Sequence, residues 1–241
     1  MRLRYAELSV AGPCPSNQDC VGFWQDESRA VALLADGVGG LGSGDVASRL
    51  AVEMGIEVFR EAPPEATIRQ RLLQLFQTAN WAVYDKGFEP GGPGRIATTL
   101  AAAAFFGREM VVGNVGDSRV YLVHRGLIQQ LSVDHSLVGI QRRFGHITEA
   151  EARVSEHRHI ITRGLGADPQ VRVDMDQAPL FAGDRVVLCS DGLHGCVSDL
   201  EIARMVCQFA PMDACHQLVA LAERRNTTDN TSVQVLEILE I

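Results

Sequence analysis

The sequence predicts an α+β fold built in layers, and three observations carry that expectation. Short apolar runs follow one another between residues 98 and 131 across turns too tight for a crossover helix, as antiparallel neighbours do. Apolar residues at helical spacing come in pairs of segments, 45–60 with 65–86 and 199–209 with 212–224, instead of alternating with strands one by one. Two further runs, V-A-L-L-A at 31–35 and V-V-L-C-S at 186–190, each stop at Asp-Gly, as an apolar strand does when it leaves a core.

Taken in order, residues 2–10 and 20–24 read as strands around a loop at 12–19, and 29–35 as a buried strand. The glycine-rich stretch 37–44 reads as tight turns before a helix over 45–60, whose stripe is Val46, Leu50, Met54 and Val58; Pro63-Pro64 ends it. A second helix over about 65–86 rests on Ile68, Leu72, Leu75, Ala79 and Val83, with Gly87 just past its end. A loop at 88–97 leads to strands at 98–106, 109–115, 119–124 and 127–131. Residues 136–160 are helical and more polar, with Thr148 and Glu151 forming a capping box. A strand at 185–190, the second helical pair and a last strand at 231–239 complete one domain, 1–241.

The 241 residues are 46% hydrophobic and 22% charged, enough for a sizeable core. Twenty-two basic against 30 acidic residues leave a net charge of −8, which argues against duplex nucleic acid or an anionic membrane as partner. No apolar run approaches the ~18 residues of a spanning helix, and the N-terminal residues meet Glu7 too early for a signal-peptide core. Six cysteines without a C-x-x-C pair fit a reducing, cytoplasmic compartment. No heptad is present, so a monomer is expected.

Asp36 and Asp191 stand where apolar strands end, each followed by a glycine that permits close backbone approach. Asp117 follows the 109–115 strand, Asp229 precedes the last strand and Asp19 closes the N-terminal loop. One Asp-Gly alone is an ordinary turn; five aspartates at strand ends would repel strongly if they converge, and a divalent cation relieves that. An all-oxygen set suits Mg²⁺ or Mn²⁺ over Zn²⁺ or copper. Two such ions, about 3.5–4 Å apart, activate a bridging water and polarise a phosphoryl oxygen. The glycine-rich 37–44 lacks the endings of a nucleotide-binding loop.

In this order the motifs resemble the metal-dependent (PPM, type 2C) Ser/Thr protein phosphatases, particularly the compact bacterial ones. They are N-Q-D at 17–19, A-D-G-V-G-G at 35–40, T-T-L at 98–100, N-V-G-D-S-R-V-Y at 114–121, D-H-S-L-V at 134–138, I-T-R-G-L-G at 161–166, S-D-G-L at 190–193 and D-N-T-S-V at 229–233. The resemblance implies an αββα sandwich of two antiparallel sheets flanked by helix pairs, and two or three Mn²⁺ or Mg²⁺ ions at one end. It implies that Asp36 bridges two ions and the Gly37 carbonyl binds one, while Asp191 and Asp229 complete the other's shell. Asp36 and Asp191 would thereby hold the nucleophilic water. Asp117, with Asp191, matches a weaker third ion's position, Asp19 an acidic residue that holds water on the metal, and 136–160 a flap beside the site.

Three positions depart from the family pattern. The arginine that grips substrate phosphate is Cys14 here, and a thiol supplies no positive charge. Arg158 and Arg163 are the candidates to stand in for it. Gln18 replaces a glutamate, and Val38 stands where eukaryotic members carry the general-acid histidine. His157 and His159, at the flap's end, are candidates for that acid, and His157 is assigned it; the competing reading makes both exposed flap residues. His135 reads as a turn anchor.

The resemblance implies hydrolysis of phosphoserine and phosphothreonine in proteins, with the targets of a cognate Ser/Thr kinase, secretion-system regulators among them, as partners. Cys14 motivates the alternative, a catalytically weak phosphoprotein-binding module of the same fold.

Overall fold

The run at 29–36 reads as continuously apolar because its side chains alternate between two different cores. Val31, Leu33 and Ala35 join one cluster, and Ala30, Ala32 and Leu34 another. A strand covered on both faces has no solvent side on which to place polar residues. The computed structural model, which describes residues 1–38, 43–90 and 94–241, builds the whole architecture on that principle. Its elements are β1 (Arg2–Val10), β2 (Asp19–Gln25), β3 (Arg29–Asp36), α1 (Gly44–Glu61), α2 (Ile68–Phe88), β4 (Leu100–Phe106), β5 (Glu109–Val115), β6 (Arg119–His124), β7 (Leu127–Gln130), α3 (Leu137–Arg143), α4 (Glu149–Val154), β8 (Asp174–Pro179), β9 (Arg185–Cys189), α5 (Asp191–His194), α6 (Asp199–Gln208), α7 (Pro211–Arg224) and β10 (Thr231–Glu240).

Two antiparallel five-stranded sheets, β1-β10-β9-β6-β7 and β2-β3-β4-β5-β8, face each other. Leu34, Phe105 and Met110 of one sheet meet Val120, Leu188 and Leu236 of the other between them. Helices α1 and α2 cover the outer face of the second sheet, and α6 and α7 that of the first. This is the α+β, αββα sandwich the motifs imply. Alanine is a poor strand former, yet β4 reads L-A-A-A-A-F-F; its fully buried alanines serve both cores, where packing outweighs propensity.

Several elements differ from the sequence expectation. The buried face of α1 is Ala47, Ser48, Ala51, Val52, Gly55 and Phe59, rotated away from the Val46/Leu50/Met54/Val58 stripe. Small residues let α1 settle closely: a Cβ on Gly55 would stand 2.9 Å from Leu33 Cδ1 and 3.2 Å from Leu75 Cδ2. Helix α2 starts at Ile68, behind a Thr67/Gln70 capping box, and continues past Gly87 to Phe88. Gly87 is buried inside it because a side chain would meet the Gly94 carbonyl at 2.6 Å. Strand β8, D-M-D-Q-A-P, carries no apolar run and is fixed by pairing with β5, Glu109 opposite Pro179. Part of the glycine-rich stretch (39–42) and part of the 88–97 loop (91–93) lie outside the described residues. No helix among those described is long and apolar enough to cross a membrane.

Candidate metal centre

Strand register brings the first two carboxylates together: Asp19 opens β2 directly opposite Asp36, which ends β3. The Asp36 backbone is held from both sides. Its N–H donates to Thr99 Oγ1 (2.9 Å), and its carbonyl accepts from Thr98 Oγ1 and the Thr99 N–H (both 2.8 Å). Gly37 follows because only glycine fits; a Cβ would lie 2.2 Å from the Gly44 carbonyl oxygen. Asp191 begins α5 where β9 ends, and Gly192 passes so near β10 that a Cβ would be 2.0 Å from the Asn230 carbonyl. Asp117 sits in the β5–β6 turn after Gly116, whose φ of 102° belongs to glycine.

Neighbours to which motif reading gave no role lock this arrangement. Ser190 Oγ donates to Asp19 Oδ2 (2.8 Å) and accepts from the Ser232 N–H (3.0 Å), joining the two sheets at the site. Asn230 accepts from the Gln18 N–H and donates to the carbonyls of Ala11 and Ser16, stapling the N-terminal loop down. Buried His194 bonds the Asp117 carbonyl through Nε2 (3.0 Å), and burial lowers its pKa to about 4, so the ring is neutral.

The resulting pit fits a cation. Among the described residues, Asp19 Oδ1 and Asp191 Oδ1 are buried with no hydrogen-bond partner. Burial, then the charges of neighbouring carboxylates, pushes Asp36 and Asp117 far above the usual range. Burial raises Asp19 to about 7 even though two serine hydrogen bonds pull the other way. Burial and Asp191 also raise Asp229. Asp191 moves down: burial pushes it up, but the hydrogen bond and charge of His159 outweigh it. Clustered carboxylates that hold protons without a cation and have few donors are what Mg²⁺ or Mn²⁺ takes as ligands, the ion displacing the protons. Asp19, Asp36, Asp117, Asp191 and Asp229, with the Gly37 carbonyl, are the groups that could hold such ions.

A cavity of about 310 Å³ opens beside the pit, walled by Asp117 and Asp191 on one side and by Arg142, Ala152, Arg158 and His159 of the flap segment 136–160 on the other. In that segment Thr148 and Glu151 do form the expected capping box on α4. His159, and not His157, reaches the site. Its Nδ1 lies 2.9 Å from Asp191 Oδ2 and 3.9 Å from Asp229 Oδ2. The Asp191 hydrogen bond raises its pKa against the opposing effect of burial. The ring of His157 is exposed, and its backbone N–H bonds Ser155. Both rings are exposed, and the hydrogen bond to Asp191 is what distinguishes His159, a distinction spacing alone does not carry.

Cys14 stands at the rim, its Sγ 3.6 Å from the Thr228 carbonyl and 4.0 Å from Asp229 Oδ1. Burial and then the Asp229 charge raise its pKa, so it presents a neutral thiol. His135 anchors a turn as expected: Nδ1 accepts the Gly116 N–H (3.1 Å) and Nε2 faces Asp174 (3.2 Å). Arg163 is bound there too, to Asp174 Oδ1 at 2.8 Å.

Comparison with known proteins agrees with this geometry. Residues 15–231 match the protein phosphatase 2C family. A putative protein phosphatase 2C-type protein of Streptococcus pyogenes serotype M6 is 33% identical over 225 residues, which span 92% of this chain and 91% of the relative. The crystal structure of the serine/threonine phosphatase Stp1 from Staphylococcus aureus is similar with a TM-score of 0.91 at 29% identity, covering 100% of this chain and 96% of that one. The catalytic domain of the serine/threonine protein phosphatase PstP, solved with two manganese ions, gives 0.86 at 30% identity over 99% of each chain. The chain therefore belongs to the protein phosphatase 2C family of metal-dependent Ser/Thr phosphatases.

Proposed function

We propose that this chain hydrolyses phosphoserine and phosphothreonine monoesters in proteins at the carboxylate pit, with two or three Mn²⁺ or Mg²⁺ ions as cofactor. The observation that carries the reading is the set of buried, unpartnered oxygens of Asp19 and Asp191 beside the raised carboxylates of Asp36 and Asp117. Divalent ions bound there supply an acidified water as nucleophile and neutralise charge on the phosphate. Asp36, Gly37, Asp191 and Asp229 hold the ions, Asp117 serves a further one, and Asp19 orients water. His159 takes the acid role assigned above to His157. Held on Asp191, which favours its protonated form, its imidazolium can give a proton to the leaving serine or threonine oxygen.

The alternative, a phosphoprotein-binding module, rests on Cys14 alone, and every aspartate of the metal set is in place against it. Phosphorylated targets of a cognate Ser/Thr kinase, including secretion-system regulators, are the proposed partners, acting in the cytoplasm. Phosphate release from a phosphothreonine peptide tests the reading: it should require added Mn²⁺ or Mg²⁺ and stop with chelator. A folded, metal-loaded protein that releases none would sink it.

A further inference from the structure

A phosphate dianion entering a pit lined with aspartates needs cationic help beyond the metal ions, and an arginine supplies it best, through two parallel N–H donors. Position 14 offers only a neutral thiol. Five other arginines bear on the site, and four of them are occupied. Arg119 is buried and bonded to Asp134 at 2.6 Å. Arg142 pairs with Glu149 and lies 3.6 Å from Asp134, and Arg153 lies 3.3 Å from Glu149. Arg163 is bound to Asp174.

Arg158 is different. Among the described residues no carboxylate comes within ion-pair distance of it, and its guanidinium makes one long hydrogen bond, to the Ser155 carbonyl at 3.4 Å. It is half-buried in the cavity wall together with Asp191 and Asp229. Its backbone is held close to the site, because the next residue, His159, rests on Asp191 and Ile160 accepts the Leu137 N–H at 2.8 Å. The Arg158 charge is felt at Asp229, the same aspartate that the Cys14 thiol touches from the N-terminal loop. Cys14 thus touches Asp229 from the N-terminal loop, and Arg158 lines the same cavity as Asp229 from the flap.

We propose that Arg158, reaching from the flap segment, binds the substrate phosphate in place of the arginine absent at position 14. The inference rests on the phosphatase reading for its substrate, but its test does not depend on turnover. A phosphate monoester dianion is thereby held between the strand-end pit and the flap, so the flap segment becomes part of phosphate binding itself.

The experiment measures orthophosphate affinity by calorimetry on Mn²⁺-loaded protein, and KM and kcat on a phosphothreonine peptide, for wild type, Arg158→Ala and Arg158→Ala/Cys14→Arg. Loss of a charged bidentate donor should weaken orthophosphate binding and raise KM by about 10- to 100-fold while kcat stays within about threefold. The double variant should recover most of the loss, which also establishes that the single variant is folded. Unchanged orthophosphate affinity in Arg158→Ala, no measurable orthophosphate binding by wild type, or a loss confined to kcat would overturn the assignment. If wild type binds orthophosphate through Arg158 but turns over no peptide, the phosphatase reading fails and the phosphate site stands.

Discussion

The floor of the site fixes its charges through the backbone, whereas the flap segment carries its charges on side chains that reach in from short turns. Asp36 is held by three hydrogen bonds from Thr98 and Thr99, and Gly37 and Gly192 stand where no other residue fits. Across the cavity, His159 and Arg158 reach the site from a turn whose neighbour, the ring of His157, faces solvent. A strand-end carboxylate is positioned before any ligand arrives and costs stability through repulsion. A charge on an exposed flap turn costs the fold little. On the proposed reading the floor sets the chemistry, and the flap sets how the phosphate is held.

This contrast can be broken in several places. His159→Gln should lower kcat by about 100-fold by removing the proposed acid, and His157→Gln should change it by less than about twofold. The pH profile sharpens the point: His159 must be protonated to act and Asp191 raises its pKa, so wild-type kcat should fall as pH rises through that raised value. His159→Gln should lack this alkaline limb. Equal effects of the two variants would erase the distinction between the rings.

On the floor, Gly192→Ala should destabilise the protein by about 1–3 kcal/mol in denaturant unfolding, because the Asn230 carbonyl it strikes belongs to a held backbone. The metal-free floor should also respond to acid with a definite sign. Asp19, Asp36, Asp117 and Asp229 have folded-state pKa values raised above those of the unfolded chain, so the folded form binds protons first. With chelator, stability should then rise as pH falls from about 7 toward about 4, the unfolded aspartate value. Below that it should be lost again as Asp134 and Asp191, whose values are depressed, become protonated. Melting curves with chelator, set against curves with Mn²⁺, read this directly; stability that falls steadily from pH 7 to 4 without metal would contradict a repelling pit. The smallest effect belongs far from both regions: Thr67→Ala removes the α2 cap and should cost about 1 kcal/mol of stability with no change in kcat/KM.

How much of this was legible in the sequence follows the same division. Asp36 and Asp191 could be read because a buried strand followed by Asp-Gly is a local pattern, and helix pairing was visible as periodicity. The bonds that lock the floor were not, since Ser190 meets Asp19 across 171 residues of chain and Asn230 meets Gln18 across 212. The buried face of α1 was misread because it includes the small residues Ala47, Ala51 and Gly55, which a hydrophobic stripe does not weigh. Strand β8 left no apolar trace because its identity comes from β5 alone. On the flap, nothing local separates His157 from His159, because only the fold brings Asp191 beside one ring.

The central claim is that the strand-end carboxylates bind divalent cations and that this binding drives phosphate release. Asp36→Asn tests it most directly, with Mn²⁺ affinity by calorimetry and phosphate release from a phosphothreonine peptide measured on the same preparations. The account predicts weakened Mn²⁺ binding together with a loss of turnover of about 1,000-fold or more, the scale of several kcal/mol of lost charge stabilisation. A folded Asp36→Asn protein that binds Mn²⁺ and releases phosphate like wild type would contradict it.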